Sequence, residues 1–295
     1  MMELRQLRYL ASLAREGQFT RAAARLNVAQ PALSQQIRKL EDELGVALVD
    51  RTPHGARLTV AGERAVARAR SVLAEVDALR EEIGELAGLT GGRVAVGVTP
   101  TAGPVDVAAI LGAFHRDRPA IELAVLERLS VELAEQLRGD TLDVAFVTQL
   151  DGRNLRGLEL RQVATERLVA ILAPRHALAA RRRIRLADLR DEPFAIFHRG
   201  ATIRTAVERL AAEAGFAPRT AFEVGDVARA RALVAEGLAV AILPRSDAER
   251  PGPPIAAVAL AGRGLGFEVF LAWRRDRRQA PATRAFIEHV VSHPS

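Results

Sequence analysis

A short stretch, QPALSQQIRKL, alternates apolar and polar side chains at the spacing of an amphipathic helix. The amides, hydroxyl and guanidinium group on its polar side are side-chain types that hydrogen-bond to base edges and phosphates. This stretch therefore predicts a surface that contacts nucleic acid. The candidate residues are Gln30, Ser34, Gln35 and Arg38, which lie on or near the face opposite Leu33, Ile37 and Leu40.

A second helix just upstream is needed to position this one. Apolar residues recur from Ala23 to Val28, and Thr20 can provide the N-cap of this first helix. Asn27 tolerates the left-handed conformation that ends a helix, and Pro31 lies in the first turn of the second helix, where its missing N–H has no cost. Two short helices joined by a tight turn form a helix-turn-helix.

These residues resemble the DNA-binding domain of the LysR-type transcriptional regulators. The resemblance rests on FTRAAARLNVAQPALSQQIRKLEDELG at Phe19–Gly45, LVDRT at Leu48–Thr52 and LTVAG at Leu58–Gly62. It is specific because these motifs occur together at fixed distances. Ala29 departs from the family pattern, which usually has a capping Ser or Thr there, and the missing cap weakens the helix by about 1 kcal/mol. Val49 replaces the usual Phe.

The resemblance implies a winged helix-turn-helix that binds an interrupted palindrome in double-stranded DNA. Val46–Leu58, with a proline and a glycine at its centre, predicts the β-hairpin of the wing. Arg51, His54 and Arg57 on this hairpin are candidates for phosphate or minor-groove contacts, and a solvated surface is the alternative. The predicted DNA-binding residues are Thr20, Gln30, Pro31, Ser34, Gln35, Arg38, Arg51 and Thr59.

Length and composition exclude several classes of protein. With 295 residues and 49% hydrophobic content, the chain can form two or three domains with buried cores. Its formal net charge is +6, but Lys39 is the only lysine among 42 basic residues, so the pI of 10.9 partly reflects arginine's high pKa. The sequence has no cysteine for disulfides, thiol switches or thiolate metal sites. It shows neither a signal core nor an apolar run approaching the length of a membrane span, so we expect a cytoplasmic protein.

A long helix is predicted from Thr59 to about Leu89. Its apolar residues alternate steps of four and three, which is typical of a coiled-coil seam. We expect this helix to pair with a second copy and so to set the spacing of two DNA-reading modules, whereas packing on its own chain is the alternative. The seam consists of Ala65, Ala69, Val72, Val76, Leu79, Ile83 and Leu86.

Strands and helices alternate after the glycines at positions 88, 91 and 92. Strands predicted at Val94–Val98, Ile121–Leu126 and Leu142–Val147 alternate with helices near Val105–Arg116 and Val131–Arg138. This order is typical of a parallel sheet covered by helices, and it defines a first lobe.

A second α/β lobe follows. Its predicted strands are Leu168–Leu172, Phe194–Phe197, Thr220–Val224 and Ala239–Leu243, with helices near Ile203–Ala214 and from Asp226. In the family, the final strand and helix, here Phe267–Trp273 and Pro281–Val291, return to the first lobe. The resemblance therefore implies an α/β effector-binding domain of two lobes, similar to periplasmic binding proteins, after a winged helix-turn-helix and a linker helix. The predicted domains are 1–60, 61–90 and 91–295, with lobe I at 91–160 and 267–295 and lobe II at 161–266.

Polar residues that follow the predicted strands mark a cleft between the lobes, because open parallel sheets bind ligands beyond the carboxyl ends of their strands. Small hydroxyls and helix N-termini there suit a carboxylate or a similar anion, with Arg199 as a further cation. For Ser130, Thr202 and Asp226 a simple helix-capping role is the alternative. The predicted effector-binding residues are Thr99, Pro100, Thr101, Ser130, Thr148, His198, Thr202 and Asp226.

Other functional classes lack their motifs. No GxSxG, GxxxxGK[ST], HExxH or strand-linked GxGxxG pattern is present, which argues against an enzyme and predicts no catalytic residues and no cofactor. His289 and His293 have a metal-ligand spacing, but a solvated tail is the favoured interpretation, so no metal site is predicted. A secreted solute-binding protein is the remaining rival. The family's dimers commonly pair into tetramers, and RNA polymerase is a further partner to consider.

Overall fold

A computed structural model of the chain describes residues 2–52, 55–86, 91–149, 155–262 and 264–292. The chain forms two compact units. The first contains the residues up to Gly91 together with Gly139–Thr141 and Gln279–Pro281, and the second contains the remainder. No helix in the described ranges is both long enough and apolar enough to cross a bilayer.

The first unit is a three-helix core followed by a hairpin and a long helix. Its buried apolar side chains come from all of these elements, and Leu10, Leu33, Ile37 and Leu40 are fully enclosed. The elements are α1 Leu4–Glu16, α2 Phe19–Arg25, α3 Gln30–Leu44, β1 Val49–Thr52, β2 Gly55–Leu58 and α4 Val60–Leu86.

The helix ends largely follow the sequence. Gly17 and Gly45 both have φ 67° at the ends of α1 and α3, and Asn27 adopts φ 52° in the turn, as predicted. Ala29 is the N-cap of α3 and makes no side-chain cap bond. The prediction that Thr20 caps α2 is wrong, because the helix begins at Phe19 and its N-cap is Gln18.

Backbone amides at the start of the wing donate hydrogen bonds to a glutamate side chain of the recognition helix α3. Glu41 Oε1 accepts hydrogen bonds from the amides of Leu48 at 2.8 Å and Val49 at 3.0 Å. Gly62, at the start of α4, lies against the carbonyl oxygen of Leu48, where an added Cβ would overlap that oxygen. Hairpin, recognition helix and long helix therefore meet around the segment before β1.

The residues of the predicted coiled-coil seam differ in burial along α4. Near the start of the helix, Ala65 packs against the winged-helix core and Ala69 is buried within its own chain. Further along, Val72, Leu79 and Ile83 are exposed to 43%, 57% and 57%. Packing on the same chain thus occupies the first part of the seam, and only the later part offers apolar side chains to a second copy.

The second unit contains both lobes, and β6 belongs to both. Its first part pairs with β12, from Leu158↔Arg274 to Arg167↔Gly266, and its last part pairs with β10 and β11. The strands are β3 Gly92–Val98, β4 Ile121–Glu127, β5 Val144–Gln149, β6 Leu158–Leu172, β7 Arg183–Arg185, β8 Pro193–Phe197, β9 Arg219–Val224, β10 Ala241–Pro244, β11 Ala256–Ala261 and β12 Gly266–Arg274. The helices are α5 Val107–Asp117, α6 Ser130–Arg138, α7 Thr202–Glu213, α8 Val227–Ala235, α9 Arg245–Glu249 and α10 Pro281–Ser292.

The sheets are mixed, whereas the sequence predicted parallel ones. Parallel pairing joins β3 to β4 and β5, and β8 to β9. Strand β12 runs antiparallel to both β5 and β6, which closes the order β4-β3-β5-β12-β6 in lobe I. The antiparallel strands arise because the chain leaves lobe I along β6 and returns along β12.

We expect Leu79→Glu to dissociate the dimer that the linker helix is predicted to form, because the new carboxylate would be unpaired in a packed apolar interface. Sedimentation of the purified protein measures this. Ala67→Glu is the matched control, since Ala67 is exposed on the same helix but lies off the seam. Equal oligomeric states for Leu79→Glu and wild type would contradict the prediction.

Candidate nucleic-acid interface and ligand cleft

The exposed side of α3 carries most of the predicted DNA contacts. Gln30, Pro31, Gln35 and Arg38 are all exposed, and Pro31 lies in the first turn as predicted. Ser34 differs, because its side chain is only 9% exposed. This serine lies at the edge of the surface.

Arg51 explains the burial of Ser34. Its Nη1 donates a hydrogen bond to Ser34 Oγ at 3.0 Å, and its guanidinium lies 5.1 Å from the ring centroid of Phe19. The arginine thus joins the wing to α2 and α3 by a hydrogen bond and a cation–π contact. Arg51 and Ser34 therefore fix the position of the wing relative to α3.

The other two predicted DNA-binding residues differ in their surroundings. Thr20 is exposed on α2. The hydroxyl of Thr59 donates to the carbonyl of Ala47 at 2.8 Å and accepts from the amide of Gly62 at 3.0 Å, so it caps α4. His54 lies outside the described residues.

In the second unit, a small cleft lies between residues that follow strands of both lobes. Its volume is about 40 Å³. Five of the eight predicted effector-binding residues line it. They are Thr99, Pro100 and Thr101 from lobe I, with His198 and Thr202 from lobe II.

A chain of three hydroxyls joins the lobes beside this cleft. Ser130 Oγ accepts from the amide of Thr148 at 3.0 Å and lies 3.2 Å from Thr148 Oγ1, which donates to Thr202 Oγ1 at 2.8 Å. Because Thr148 uses its proton on Thr202, the hydrogen bond between the hydroxyls of Ser130 and Thr148 requires Ser130 to donate. Thr202 accepts at the end of the chain, so its own proton remains available. Neither Ser130 nor Thr202 acts as a side-chain N-cap in this arrangement.

The start of α7 is open to the cleft. Its N-cap, Ala201, makes no side-chain cap bond and also lines the cleft. The first amides of a helix have no partners within the helix, so they can bind an anion. Thr202 is the first residue of this helix.

An ion-paired group holds His198 at the lobe II side. His198 Nδ1 lies 2.9 Å from Glu223 Oε1, and Arg204 Nη1 donates to Glu223 Oε2 at 2.9 Å. The hydrogen bonds from His198 and from Arg204 hold the pKa of the Glu223 carboxyl below its usual value. Since a carboxylate only accepts, Nδ1 carries the proton, and Nε2 is left for another partner.

Asp226 and Arg199 lie apart from the described lining of the cleft. The carboxylate of Asp226 accepts a hydrogen bond from the amide of Arg229 at 2.7 Å and so caps α8, which matches the capping alternative. Arg199 is exposed. Among the described residues, no group of three His, Asp or Glu side chains is placed to hold a metal ion.

Comparison with known proteins now identifies the family. Residues 4–63 match the family described as bacterial regulatory helix-turn-helix protein, lysR family, and residues 87–295 match the LysR substrate binding domain. The chain belongs to the LysR family of transcriptional regulators. A regulator of Escherichia coli K12, named uncharacterized HTH-type transcriptional regulator YnfL, is 34% identical over 99% of this chain and 98% of its own length.

Two further relatives of this LysR regulator carry more specific names. The hydrogen peroxide-inducible genes activator of Pectobacterium carotovorum is 32% identical over 84% of this chain and 82% of its own length. The crystal structure of full-length CbnR complexed with its target DNA matches with a TM-score of 0.67 and 29% identity, and the match covers 99% of both chains. These likenesses support DNA-binding regulation as the role of the family.

Sequence reasoning missed the residues that support both sites. Glu41 and Glu223 accept hydrogen bonds from residues 7 to 25 positions away, and the bond from Arg204 to Glu223 spans 19 positions. No local pattern indicates these pairs. Of these residues, Arg204 could most readily have been found from the sequence, because it occupies a position on the apolar face of α7. In the structure, only 9% of this arginine is exposed. A buried arginine requires partners, and it has them in Glu208, Glu223 and the carbonyl of Phe197.

We expect the Gln35→Ala, Arg38→Ala double variant of this LysR regulator to lose specific DNA binding. Each base-contacting side chain contributes about 1–3 kcal/mol, and both of these are exposed on α3. Fluorescence anisotropy with the operator and with unrelated DNA measures the specific part. Arg8→Ala, which removes an exposed arginine from α1, is the control and should bind normally. Unchanged specific affinity in the double variant would exclude this surface.

Proposed function

We propose that this LysR regulator responds to a small organic anion bound between its two lobes. The observation that carries the proposal is the hydroxyl chain from Ser130 to Thr202, which ends in a free O–H beside the uncapped start of α7. A hydroxyl proton and unpartnered backbone amides are donors that suit a carboxylate without a dedicated cation.

Lobe I supplies further donors on the opposite side of the cleft. Thr99 and Thr101 are nearly buried and line the cleft, and we propose that their hydroxyls contact the same anion. On the lobe II side, His198 lines the cleft with Nδ1 held by Glu223, and Thr202 is the hydroxyl donor of that lobe. With donors on both lobes, the ligand binds the closed form more tightly than the open one and shifts the population toward it.

The size of the cleft implies that the lobes separate before the ligand enters. A volume of about 40 Å³ is far below the several hundred Å³ typical of sites that enclose a metabolite. Breaking the hydrogen bond between Thr148 and Thr202 is part of that opening, because it joins the two lobes directly. We therefore expect the lobes to open from the closed form without ligand and to close again around the ligand.

At the other end of the chain, we propose that two winged helices read an interrupted palindrome while the later part of α4 holds them together. Gln30, Gln35 and Arg38 would contact bases, with Thr20 and the wing at the backbone. Pairing of dimers into tetramers and contact with RNA polymerase belong to the same proposal. An effector-driven change in the arrangement of the dimers would then alter transcription.

We expect Thr101→Val to lower effector affinity while DNA binding without effector stays nearly unchanged. The substitution keeps the volume but removes a hydroxyl from the cleft wall, and Thr101→Ser, which keeps the hydroxyl, is the matched control. Thermal shift with a panel of metabolites measures the affinity, with Thr220→Val as a control outside the cleft. A best ligand that is neutral or cationic, or that stabilises Thr101→Val and wild type equally, would defeat the proposed chemistry.

We further expect hydrogen peroxide alone to leave DNA binding unchanged, although one relative is named for induction by peroxide. The sequence has no cysteine, and its two methionines are Met1 and Met2. Thiol oxidation is therefore unavailable as a signal, and methionine oxidation would be confined to the N-terminus. Gel-shift titrations before and after peroxide treatment test this, and a shift in affinity without ligand or metal would contradict it.

A further inference from the structure

A cavity of about 600 Å³ lies where β11 and β12 part from β6, and it shares no lining residue with the interlobe cleft. Strand β6 pairs with β12 up to Arg167 and with β11 from Val169 onward. Gly262, Gly264 and Leu265, on the segment that joins β11 to β12, line the cavity. Its volume falls within the 300–1,000 Å³ that is usual for small-molecule sites.

The strand register places two arginines on the same face of this cavity. Ala259 pairs with both Val169 and Arg183, and Arg167 lies two residues before Val169 on β6. Side chains at paired positions, and at alternate positions of one strand, point to the same face. With strands about 4.8 Å apart and a rise of about 3.3 Å per residue, the two arginine Cα atoms are about 12 Å apart.

These two guanidinium groups lack acidic partners in the described part of the chain, whereas Arg245 and Glu166, which also line the cavity, are already engaged. Arg245 Nε donates to Glu249 Oε1 at 2.7 Å. The Glu166 carboxylate accepts from the amide of Arg167 at 2.7 Å and from the hydroxyl of Ser246. Arg167 and Arg183 therefore contribute two positive charges without ion-pair partners among the described residues to a concave site, and the Glu268 carboxylate in the same lining opposes them in part.

We propose that this cavity is a second ligand site of the regulator and that it binds a compact anion with two or more oxyanion groups. Arg167 and Arg183 each hold one oxyanion through a bidentate pair, and their separation selects a ligand with charges at both ends. The site is independent of the anion proposed for the interlobe cleft. Because it lies at both crossings between the lobes, its ligand contacts the strands about which the lobes move.

Glu268 gives the site a distinctive charge response. Glu268 on β12 pairs with Thr165 on β6, two residues before Arg167. The Glu268 carboxylate is therefore on the same face as Arg167, and it also lines the cavity. This carboxylate opposes the binding of an anion. Replacing it with an amide of the same shape should therefore tighten binding.

Isothermal titration of the full-length protein with citrate and with pyrophosphate tests the proposal, and acetate at matched ionic strength serves as the monovalent control. We expect saturable binding of at least one of the two multivalent anions and none of acetate. The preferred probe tells whether the site favours carboxylates or phosphates. Arg167→Ala and Arg183→Ala should each weaken that binding tenfold or more, and Glu268→Gln should strengthen it.

Arg182→Ala is the matched control, because Arg182 is exposed beside Arg183 in sequence but is not among the residues that line the cavity. It should bind within twofold of wild type. The proposal is overturned if neither multivalent anion binds saturably, or if Arg182→Ala weakens binding as much as Arg183→Ala. If Thr101→Val loses anion binding while Arg167→Ala and Arg183→Ala bind normally, the anion is bound in the interlobe cleft. That result would also overturn the proposal.

Discussion

Both lobes depend on the hydrogen bonding of one continuous strand. β6 gives its first part to the sheet of lobe I and its last part to that of lobe II, and the change falls between Arg167 and Val169. Since backbone groups in both parts are paired, the lobes cannot separate without distorting the few residues between them. Opening is thereby restricted to a rotation about this point and the adjacent return segment, which keeps the residues on the two sides of the cleft in register.

The cleft proposed as the effector site is lined by neutral side chains and one histidine in the described part of the chain. The described lining residues include three threonines and one histidine but no lysine or arginine. Hydroxyls joined in a chain orient one another, so the direction of each proton is set in the closed arrangement. Such a site can discriminate between ligands by geometry more than by total charge.

The sequence was most informative where structure is local. The ends of α1 and α3, the left-handed Asn27 and the recognition helix follow from nearby residue types, and so do most strands with dense apolar runs. The first part of β6 was missed, because LELRQVATER has few apolar residues and its pairing depends on β12, about a hundred residues later. β11 was also missed, since AAVALA has four alanines and a single β-branched residue, Val258.

The candidate sites divide in the same way. Exposed Gln30, Gln35 and Arg38 were predictable from the helix period, and hydroxyls after strands from the general behaviour of α/β sheets. The contact between Arg51 and Ser34 spans 17 positions, and Glu223 joins His198 to Arg204 across separate elements. Tertiary contacts of this kind require the folded backbone, so no pattern along the chain reveals them.

The attachment of the wing to Glu41 has an evolutionary consequence. Glu41, Ser34 and Arg51 attach the wing to α3, whereas the side chains of Gln30, Gln35 and Arg38 make no hydrogen bond or ion pair within the described ranges. Substitutions in the second group therefore break none of the hydrogen bonds that attach the wing to α3. Under the proposed DNA-binding role of this face, descendants of this chain would acquire new operators by substitutions on one helix face, while the scaffold that presents that face is inherited intact.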